Sequence, residues 1–431
     1  MKNNKTYYII TIGCQMNKSD SERIAGYLEE NGYILVSNKS KADLVVLTTC
    51  GVRQSAEDRV YGLVGKIKKN NPKTKLILTG CLSEREDVKK RLEGKVDIWL
   101  PIANLSSLKF RLVPKIKHLK PNIQNPNYLK IRPKYNSKLS AFVPIGNGCN
   151  NFCAYCVVPY ARGREIYRPA KEILKEVKDL VMGGCKEIIL IAQNVNSYKD
   201  GKINFSKLLK KVNGIPDDFW IRFATSHPKD MSDELIKTIA ECGKVCKHIH
   251  LPAQAGDDKI LLAMNRRYTA GHYKNLIKKI RKAMPEASIT TDIIVGFPGE
   301  TKKQFNNTAK LFREVKFDMA YIAQYSPRFG TAAFKLKDDV SREEKKRREE
   351  ELMKILQKTA LANNKKYLGK IVEVLVAGKS RKGEWCGHMG TNKNVKIRFR
   401  NQELGIRNFI GKFVNVKIVK AKDFGMEGET A

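Results

Sequence analysis

Three cysteines fall within eight residues in the stretch Gly148-Cys-Asn-Asn-Phe-Cys-Ala-Tyr-Cys156, at Cys149, Cys153 and Cys156. A loop this short can present three thiolates to three corners of a cubane iron–sulfur cluster. Such clusters normally take four cysteine ligands, so a three-cysteine loop leaves one iron open to something else. A closed zinc site also needs four ligands, and the nearest further candidates, His118 and Cys185, stand well outside the loop. Three buried, unligated thiols account for the spacing less well.

Three more cysteines, Cys14, Cys50 and Cys81, are far apart in sequence, yet each ends an apolar run, over residues 7–13, 43–49 and 74–80. Helical patterns follow over 21–32, 55–70 and 83–94. Strands that alternate with helices predict a parallel sheet. Parallel strands end on a common rim, so the three thiols are expected side by side there. Each also opens a turn into a helix, where backbone N–H groups and the helix dipole favour a thiolate. The chemistry expected is a second three-cysteine cluster; the plain alternative is ordinary buried cysteines at strand ends.

The elements that must position these thiols divide the chain into three, as its length leads one to expect. Residues 4–120 read as the N-terminal parallel α/β domain. Residues 135–364 return to strand–helix alternation, with strand runs at 141–148, 187–195, 220–226, 248–254, 288–297 and 319–326. Six such units predict an α/β fold curled into a partial (β/α)6 barrel, with chemistry at the C-terminal strand ends. A charged helix over 341–363 closes this part. Short β runs at 371–378, 394–399 and 412–421 place a small all-β, OB-like barrel over 365–428.

The C-x3-C-x2-C spacing, with Tyr155 before its last cysteine, resembles the radical S-adenosylmethionine superfamily, and the three-part layout resembles its methylthiotransferase family, whose C-terminal module is the TRAM barrel. The resemblance rests on Gly13-Cys-Gln-Met-Asn17, Thr49-Cys50, Thr79-Gly-Cys81, Val157-Val-Pro-Tyr-Ala-Arg-Gly-Arg-Glu165 and Gln193-Asn-Val-Asn-Ser-Tyr198. It extends through His250-Leu-Pro-Ala-Gln254, Asp292-Ile-Ile-Val-Gly-Phe-Pro-Gly-Glu300 and Tyr325-Ser-Pro-Arg-Phe-Gly-Thr331. It implies two [4Fe-4S] clusters, one on Cys149, Cys153 and Cys156 and one on Cys14, Cys50 and Cys81. The first binds S-adenosylmethionine at its open iron and cleaves it to methionine and a 5′-deoxyadenosyl radical; chemistry outside acid–base catalysis needs such a cofactor. The second carries the sulfur that is methylated and transferred, one S-adenosylmethionine giving the methyl group and another the radical. Cys50 and Cys153 thereby become the cysteines whose loss separates the two roles.

Further contacts follow from the same resemblance. Tyr155 lies beside the adenine, Gly296 and Glu300 help to hold the adenosyl part, and Gln193, Asn194 and Asn196 bond ribose or amino-acid groups. Read alone, residues 295–300 are a tight turn and 193–196 a polar loop. Family members modify N6-isopentenyladenosine or threonylcarbamoyladenosine beside the tRNA anticodon, at position 37, or an aspartate of a ribosomal protein. Residues 193–198, 13–17 and Leu251-Pro252 resemble the isopentenyl branch; Ala161 resembles the threonylcarbamoyl branch, and His388 replaces an arginine often seen in the C-terminal module. The target base must leave its stack to expose C2. The implied partners are a tRNA anticodon stem–loop, an external reductant such as flavodoxin or ferredoxin, and a sulfur donor.

Composition agrees with an RNA partner. Lysine and arginine number 82 against 44 acidic residues, a formal net charge of +38, which suits a polyanion; the bland reading is a lysine-rich soluble surface. The tail, 365–431, holds 15 basic and 6 acidic residues, and the proline-rich connector 101–140 holds nine basic and none acidic. That connector reads equally as a solvated linker or as a strip that tracks an RNA backbone. Arg162, Arg164 and Arg168 could meet phosphate or form salt bridges. No apolar run reaches about 18 residues and the N-terminus has no signal-peptide profile, so no membrane and a cytoplasmic location are expected. Ten cysteines in such a compartment speak for metal ligation over a disulfide framework. Cys242 and Cys246 could share a metal, and His227, His248 and His250 stand at strand ends near the expected site. A binding module without catalysis explains the charge but not two cysteine sets. A zinc RNA-binding protein explains both and would be separated by metal analysis.

Overall fold

A computed structural model of the protein describes residues 5–108, 112, 126–399 and 409–431, with backbone only at 126–127. Its N-terminal sheet runs β2-β1-β3-β4-β5, all parallel, with β1 Thr6–Thr11, β2 Ile34–Leu35, β3 Leu44–Thr49, β4 Lys75–Gly80 and β5 Ile98–Leu100. β3 is buried at every position, as a central strand covered on both faces by helices must be. Separate apolar clusters fill the two faces, one around Tyr7, Ile24, Leu28 and Val46, the other around Val45, Leu47, Val60 and Leu78. The first helix, Gln15–Glu30, starts directly after Cys14, six residues before the expected start. The edge strands β2 and β5 escape the sequence pattern because they are only two and three residues long.

The central part contains two parallel three-stranded sheets. One is β6 (Ser140–Pro144), β9 (Glu187–Ile191) and β12 (Trp220–Ala224); the other is β13 (His248–His250), β14 (Ser288–Val295) and β15 (Met319–Gln324). A bridge at Ile221–Val245, with Ile221 N donating to Lys244 O and Cys246 N to Ile221 O, joins them into one arc. The six strands thus run in sequence order as a partial barrel. Between them lie the short pairs β7 (Gly146–Asn147) with β8 (Ile166–Tyr167), and β10 (Lys199–Asp200) with β11 (Ile203–Asn204). The N-terminal helix packs along β6, so the first sheet is seated at that end of the arc.

The described end of the connector is more than a solvated linker. Tyr128 and Leu129 are buried in the N-terminal core, while Lys134 N donates to Glu22 O at 2.8 Å. The basic positions 109, 111, 115, 117 and 120 lie outside the described residues.

The helix Arg342–Lys365 packs on β15 and reaches the C-terminal module. That module is a closed barrel in the order β16-β17-β18-β20-β19: β16 Ile371–Lys379, β17 Trp385–Met389, β18 Asn394–Arg398, β19 Phe413–Lys422 and β20 Gly425–Thr430. β17 and β20 fall outside the sequence pattern, since Trp-Cys-Gly-His-Met and Gly-Met-Glu-Gly-Glu-Thr lack the β-branched alternation of a strand. The barrel docks on the core through a buried triad. Arg222 donates to the carbonyls of Met389 (2.7 Å) and Gly390 (3.1 Å) and, with His388, to the Glu187 carboxylate (2.6 and 2.8 Å).

Burial alone would raise the Glu187 carboxyl, but the His388 hydrogen bond and the Arg222 charge outweigh it and hold the group down at about 2. A depressed carboxyl contributes stability that is complete above its ordinary value of 4.5 and is lost as pH falls through about 2. Barrel docking is therefore expected to weaken between these values. Trp220, which packs on Phe413 and His388, reports this by fluorescence in a chain whose other tryptophans are replaced. Glu187→Gln should already be loosened at neutral pH and flat across that window.

Candidate metal centres and the cavity between them

Cys50 and Cys81 directly follow the adjacent strands β3 and β4, and Cys14 follows β1 on the other side of β3. The shared rim expected for the three thiols is where the fold puts them. Asn17 ties the turns together, its amide donating to Ile12 O (2.7 Å) and Thr49 O (2.9 Å). Thr49 in turn donates to Thr79 O at 2.6 Å and its carbonyl accepts from Cys81 N at 3.0 Å. Gly13 has φ +124°, and a Cβ there would stand 2.6 Å from Cys50 Cβ, so only glycine brings the first turn this close. Cys50 and Cys81 are buried, whereas Cys14 opens to a recess at the rim.

The core trio sits on the loop between β7 and the short helix Val158–Arg162. Phe152 holds φ +48°, and the carbonyls of Asn151 and Phe152 accept from the Asn265 amide, at 3.3 and 2.8 Å. Ala154 N donates to Met264 O at 2.9 Å. Both trios have donors aimed at sulfur: Val52 N at Cys50 (3.4 Å), the Asn151 amide at Cys149 (3.4 Å) and Arg266 at Cys153 (3.5 Å). Burial pushes the Cys50 and Cys149 thiols up to about 11, and neighbouring cysteines push the same way. Burial likewise raises Cys14 and Cys156, and Cys153 and, less strongly, Cys81 of the other trio raise Cys156 further. Thiols that resist ionisation together, with N–H donors on their sulfurs, fit a cationic inorganic core that displaces their protons on binding. Among the described residues, no three Cys, His, Asp or Glu side chains converge on a single-ion site, including around Cys242 and Cys246.

A cavity of about 730 Å³ lies where the two domains meet; of the six cysteines Cys156 lines it, together with Tyr155 and Val157 of the core loop, Gly51 and Val52 just beyond Cys50, and Gln254, Asp292, Tyr321 and Arg328. Gly51 is the point of contact: a Cβ there would meet Val157 at 3.2 Å and Cys81 at 3.4 Å. Gln254, which has φ +66°, leaves its buried Oε1 without a hydrogen-bond partner among the described residues, as does Asn194 Oδ1. Buried acceptors left open are costly unless a ligand donor meets them, and a cofactor with amino, hydroxyl and exocyclic amine groups supplies such donors.

The other expected contacts are placed variously. Tyr155 lines the cavity; Gln193, Asn194, Gly296 and Glu300 do not. Gln193 Oε1 accepts from Gly148 N at 2.6 Å, which steadies the start of the cluster loop, and the Asn194 amide donates to Asp230 at 2.7 Å. The Glu300 carboxylate is buried and accepts from Gly296 N at 2.6 Å and Arg348 at 2.7 Å. Gly296 rests on Lys345, where a Cβ would stand 2.3 Å from its side chain.

Arg162 and Arg168 do not face phosphate. Both are buried, Arg162 paired with Asp20 (2.7 Å) and Arg168 with Glu176 (2.6 Å). His227 is also enclosed: burial and the Arg266 charge push its imidazole down to about 2. His250 hydrogen-bonds Thr290 at 3.0 Å and approaches the cavity-lining Asp292 at 3.4 Å. Sequence reasoning missed Gln254, Arg266 and Arg328. Gln254 and Arg328 stand within quoted motifs, but Arg266 gives no signal apart from the fold that brings it to Cys153.

A partial (β/α)6 barrel with a three-thiol loop after its first strand is the framework of a radical S-adenosylmethionine enzyme, and residues 143–312 match the Radical SAM superfamily. Residues 6–101 match the Uncharacterized protein family UPF0004, and 365–430 the TRAM domain. The chain is 43% identical to the tRNA-2-methylthio-N(6)-dimethylallyladenosine synthase of Clostridium novyi, over 99% of this chain and 96% of that protein. It is also 43% identical to the synthase of the same name from Caldicellulosiruptor saccharolyticus, over 99% and 92%. The chain belongs to the tRNA-2-methylthio-N(6)-dimethylallyladenosine synthase family. Among solved structures, the radical S-adenosylmethionine methyltransferase TsrM from Kitasatospora setae shares the fold, with TM-score 0.57 and 12% identity over 74% of this chain and 73% of that one. No helix among the described residues is long and apolar enough to cross a membrane.

Proposed function

We propose that this chain methylthiolates C2 of N6-(dimethylallyl)adenosine at position 37 of tRNA, using S-adenosylmethionine and two [4Fe-4S] clusters. The observation that carries this reading is one cavity walled by Cys156 of the core trio and by Gly51 and Val52, the residues that follow Cys50 of the N-terminal trio. Cys149, Cys153 and Cys156 would hold one cluster, and Cys14, Cys50 and Cys81 the other. When bound, the cofactors supply a carbon radical from S-adenosylmethionine at the core site and a methylated sulfur at the N-terminal site.

The chain's own residues then have separable tasks. Tyr155 forms a wall against which an adenine can pack, and the open acceptor of Gln254 takes a ligand N–H or O–H group. Gln193 steadies the cluster loop. Glu300, tied to Gly296 and Arg348, acts as a positioning residue that keeps the 295–300 turn in shape. The basic barrel offers a surface for the tRNA backbone. The reaction also calls for a low-potential electron donor of the flavodoxin or ferredoxin type and a sulfur donor, and a tRNA substrate suits a cytoplasmic location.

Mass analysis of tRNA nucleosides from cells lacking this gene tests the reading. Methylthio-dimethylallyladenosine should vanish and its unthiolated precursor accumulate, with recovery on complementation. Loss of the threonylcarbamoyl counterpart instead would select the other substrate, to which Ala161 is similar. An unchanged nucleoside profile would remove the tRNA reading altogether.

A further inference from the structure

Aromatic rings interleaved with cations surround the loop that carries Cys149, Cys153 and Cys156, and the tasks assigned above use none of them. On one side, the turn Ala332–Lys335 is pinned to that loop: Ala333 N donates to Ala154 O at 2.7 Å, and the Tyr325 hydroxyl donates to Ala333 O at 2.9 Å. This turn and the chain before it present Phe329 and Phe334, 44% and 45% exposed, edge to face with centroids 5.5 Å apart. Lys335 and Lys337 are exposed beside them. On the loop itself and the helix that follows it, Tyr160 is 50% exposed and meets Phe152 edge to face at 5.9 Å; the Arg164 guanidinium lies 4.7 Å over the Phe152 ring. The Phe329 platform is also continuous with the cavity, which Tyr325, Ser326 and Arg328 line.

Exposed rings left in water mark a binding surface. Rings alternating with cations suit unpaired nucleotides, because every base offers a π-face and every phosphate a charge. A base that leaves its stack to enter a cavity also strips its two neighbours of a stacking partner. We propose that the Phe329–Phe334 pair, and on the cysteine loop the Tyr160–Phe152–Arg164 group, are stacking platforms for nucleotides next to the target adenosine. The proposal rests on the tRNA reading above and names the part of the RNA that this rim reads. The platforms hold the loop open around the flipped base, while Lys335, Lys337 and Arg164 meet its phosphates.

The test uses the full chain with both sites loaded and an RNA stem–loop carrying 2-aminopurine next to the target base. The intact protein should quench that fluorophore. Phe329→Ala and Phe334→Ala should each weaken stem–loop binding about tenfold and abolish the quench, while Phe329→Tyr and Phe334→Tyr retain both. An RNA with an abasic site at the flanking position should bind the intact protein about tenfold more weakly and show little further loss with the alanine variants. S-adenosylmethionine cleavage without RNA, driven by dithionite, should be the same in all variants. Unchanged binding and quench in the alanine variants overturn the proposal, even where the intact protein makes methylthio product. A defect confined to reduction by flavodoxin, with RNA binding intact, also overturns it and makes the rim a docking face for the reductant. An intact protein that neither binds the stem–loop nor makes product removes this proposal together with the tRNA reading.

Discussion

Cys50→Ala is expected to stop methylthiolation while S-adenosylmethionine cleavage at the core site continues. Cys50 is buried at the end of β3, between the turns of Cys14 and Cys81, and belongs to the trio on the N-terminal rim. Its removal takes one of three ligands from that site but touches none of Cys149, Cys153 or Cys156. Cys153→Ala should behave differently and end both activities, because the radical source is then lost. The two variants are read together by chromatography of 5′-deoxyadenosine and of digested tRNA nucleosides from one anaerobic reaction. Iron and sulfide content should fall by about half in each case. Methylthio product from a Cys50→Ala chain would break the link between the N-terminal trio and sulfur transfer.

A second large effect is expected at Arg162, beside the N-terminal trio. This side chain leaves the helix that follows the core cysteine loop and enters the N-terminal domain behind Cys14. It donates to Asp20 at 2.7 Å, to Asn17 at 2.9 Å and to Asn147 of its own domain at 3.1 Å, and both members of the ion pair are almost fully buried. The pair is not a net source of stability in itself, since desolvation offsets much of its attraction. Breaking it is another matter. Arg162→Met leaves Asp20 charged, buried and without its cation, and should cost about 3–5 kcal/mol. Asn17 also loses a partner, and Asn17 is the residue that ties the Cys14 turn to the end of β3. The expected result is a lowered denaturant midpoint together with weakened metal retention at the N-terminal site, while the core site still cleaves S-adenosylmethionine. Arg162→Lys should recover little, because one ammonium cannot serve three acceptors held in a guanidinium's geometry. A variant as stable as the parent, with full metal at both sites, would show that the arginine merely fills space. Arg328, which joins Val52 O (3.2 Å) and Gln54 (2.6 Å) next to Cys50 from the opposite side, makes the arrangement a two-point clamp.

The cysteines are legible in the amino-acid order for two physical reasons. Cys149, Cys153 and Cys156 are close enough in sequence that any loop must bring them together. Cys14, Cys50 and Cys81 converge because parallel strands share an end, and apolar strand runs with helical follow-on make such strands readable from one-dimensional pattern. The partial barrel is legible in the same way, through six apolar runs of usable length. Short elements are not: β2, β5, β17 and β20 are held by their neighbours more than by their own preferences.

The sequence by itself thus determined which residues are the candidates to hold the inorganic chemistry and which strands end beneath them. Tertiary structure alone decided how the two sites face each other and what the arginines do. Arg162 and Arg168 read as phosphate contacts or as salt bridges until packing buries them beside Asp20 and Glu176. Glu300 reads as a ligand contact until Gly296 and Arg348 take up its carboxylate. The reason is that a charged side chain carries no signature of its partner in local sequence: its role is set by which opposite charge, open acceptor or solvent the fold brings within about 3 Å.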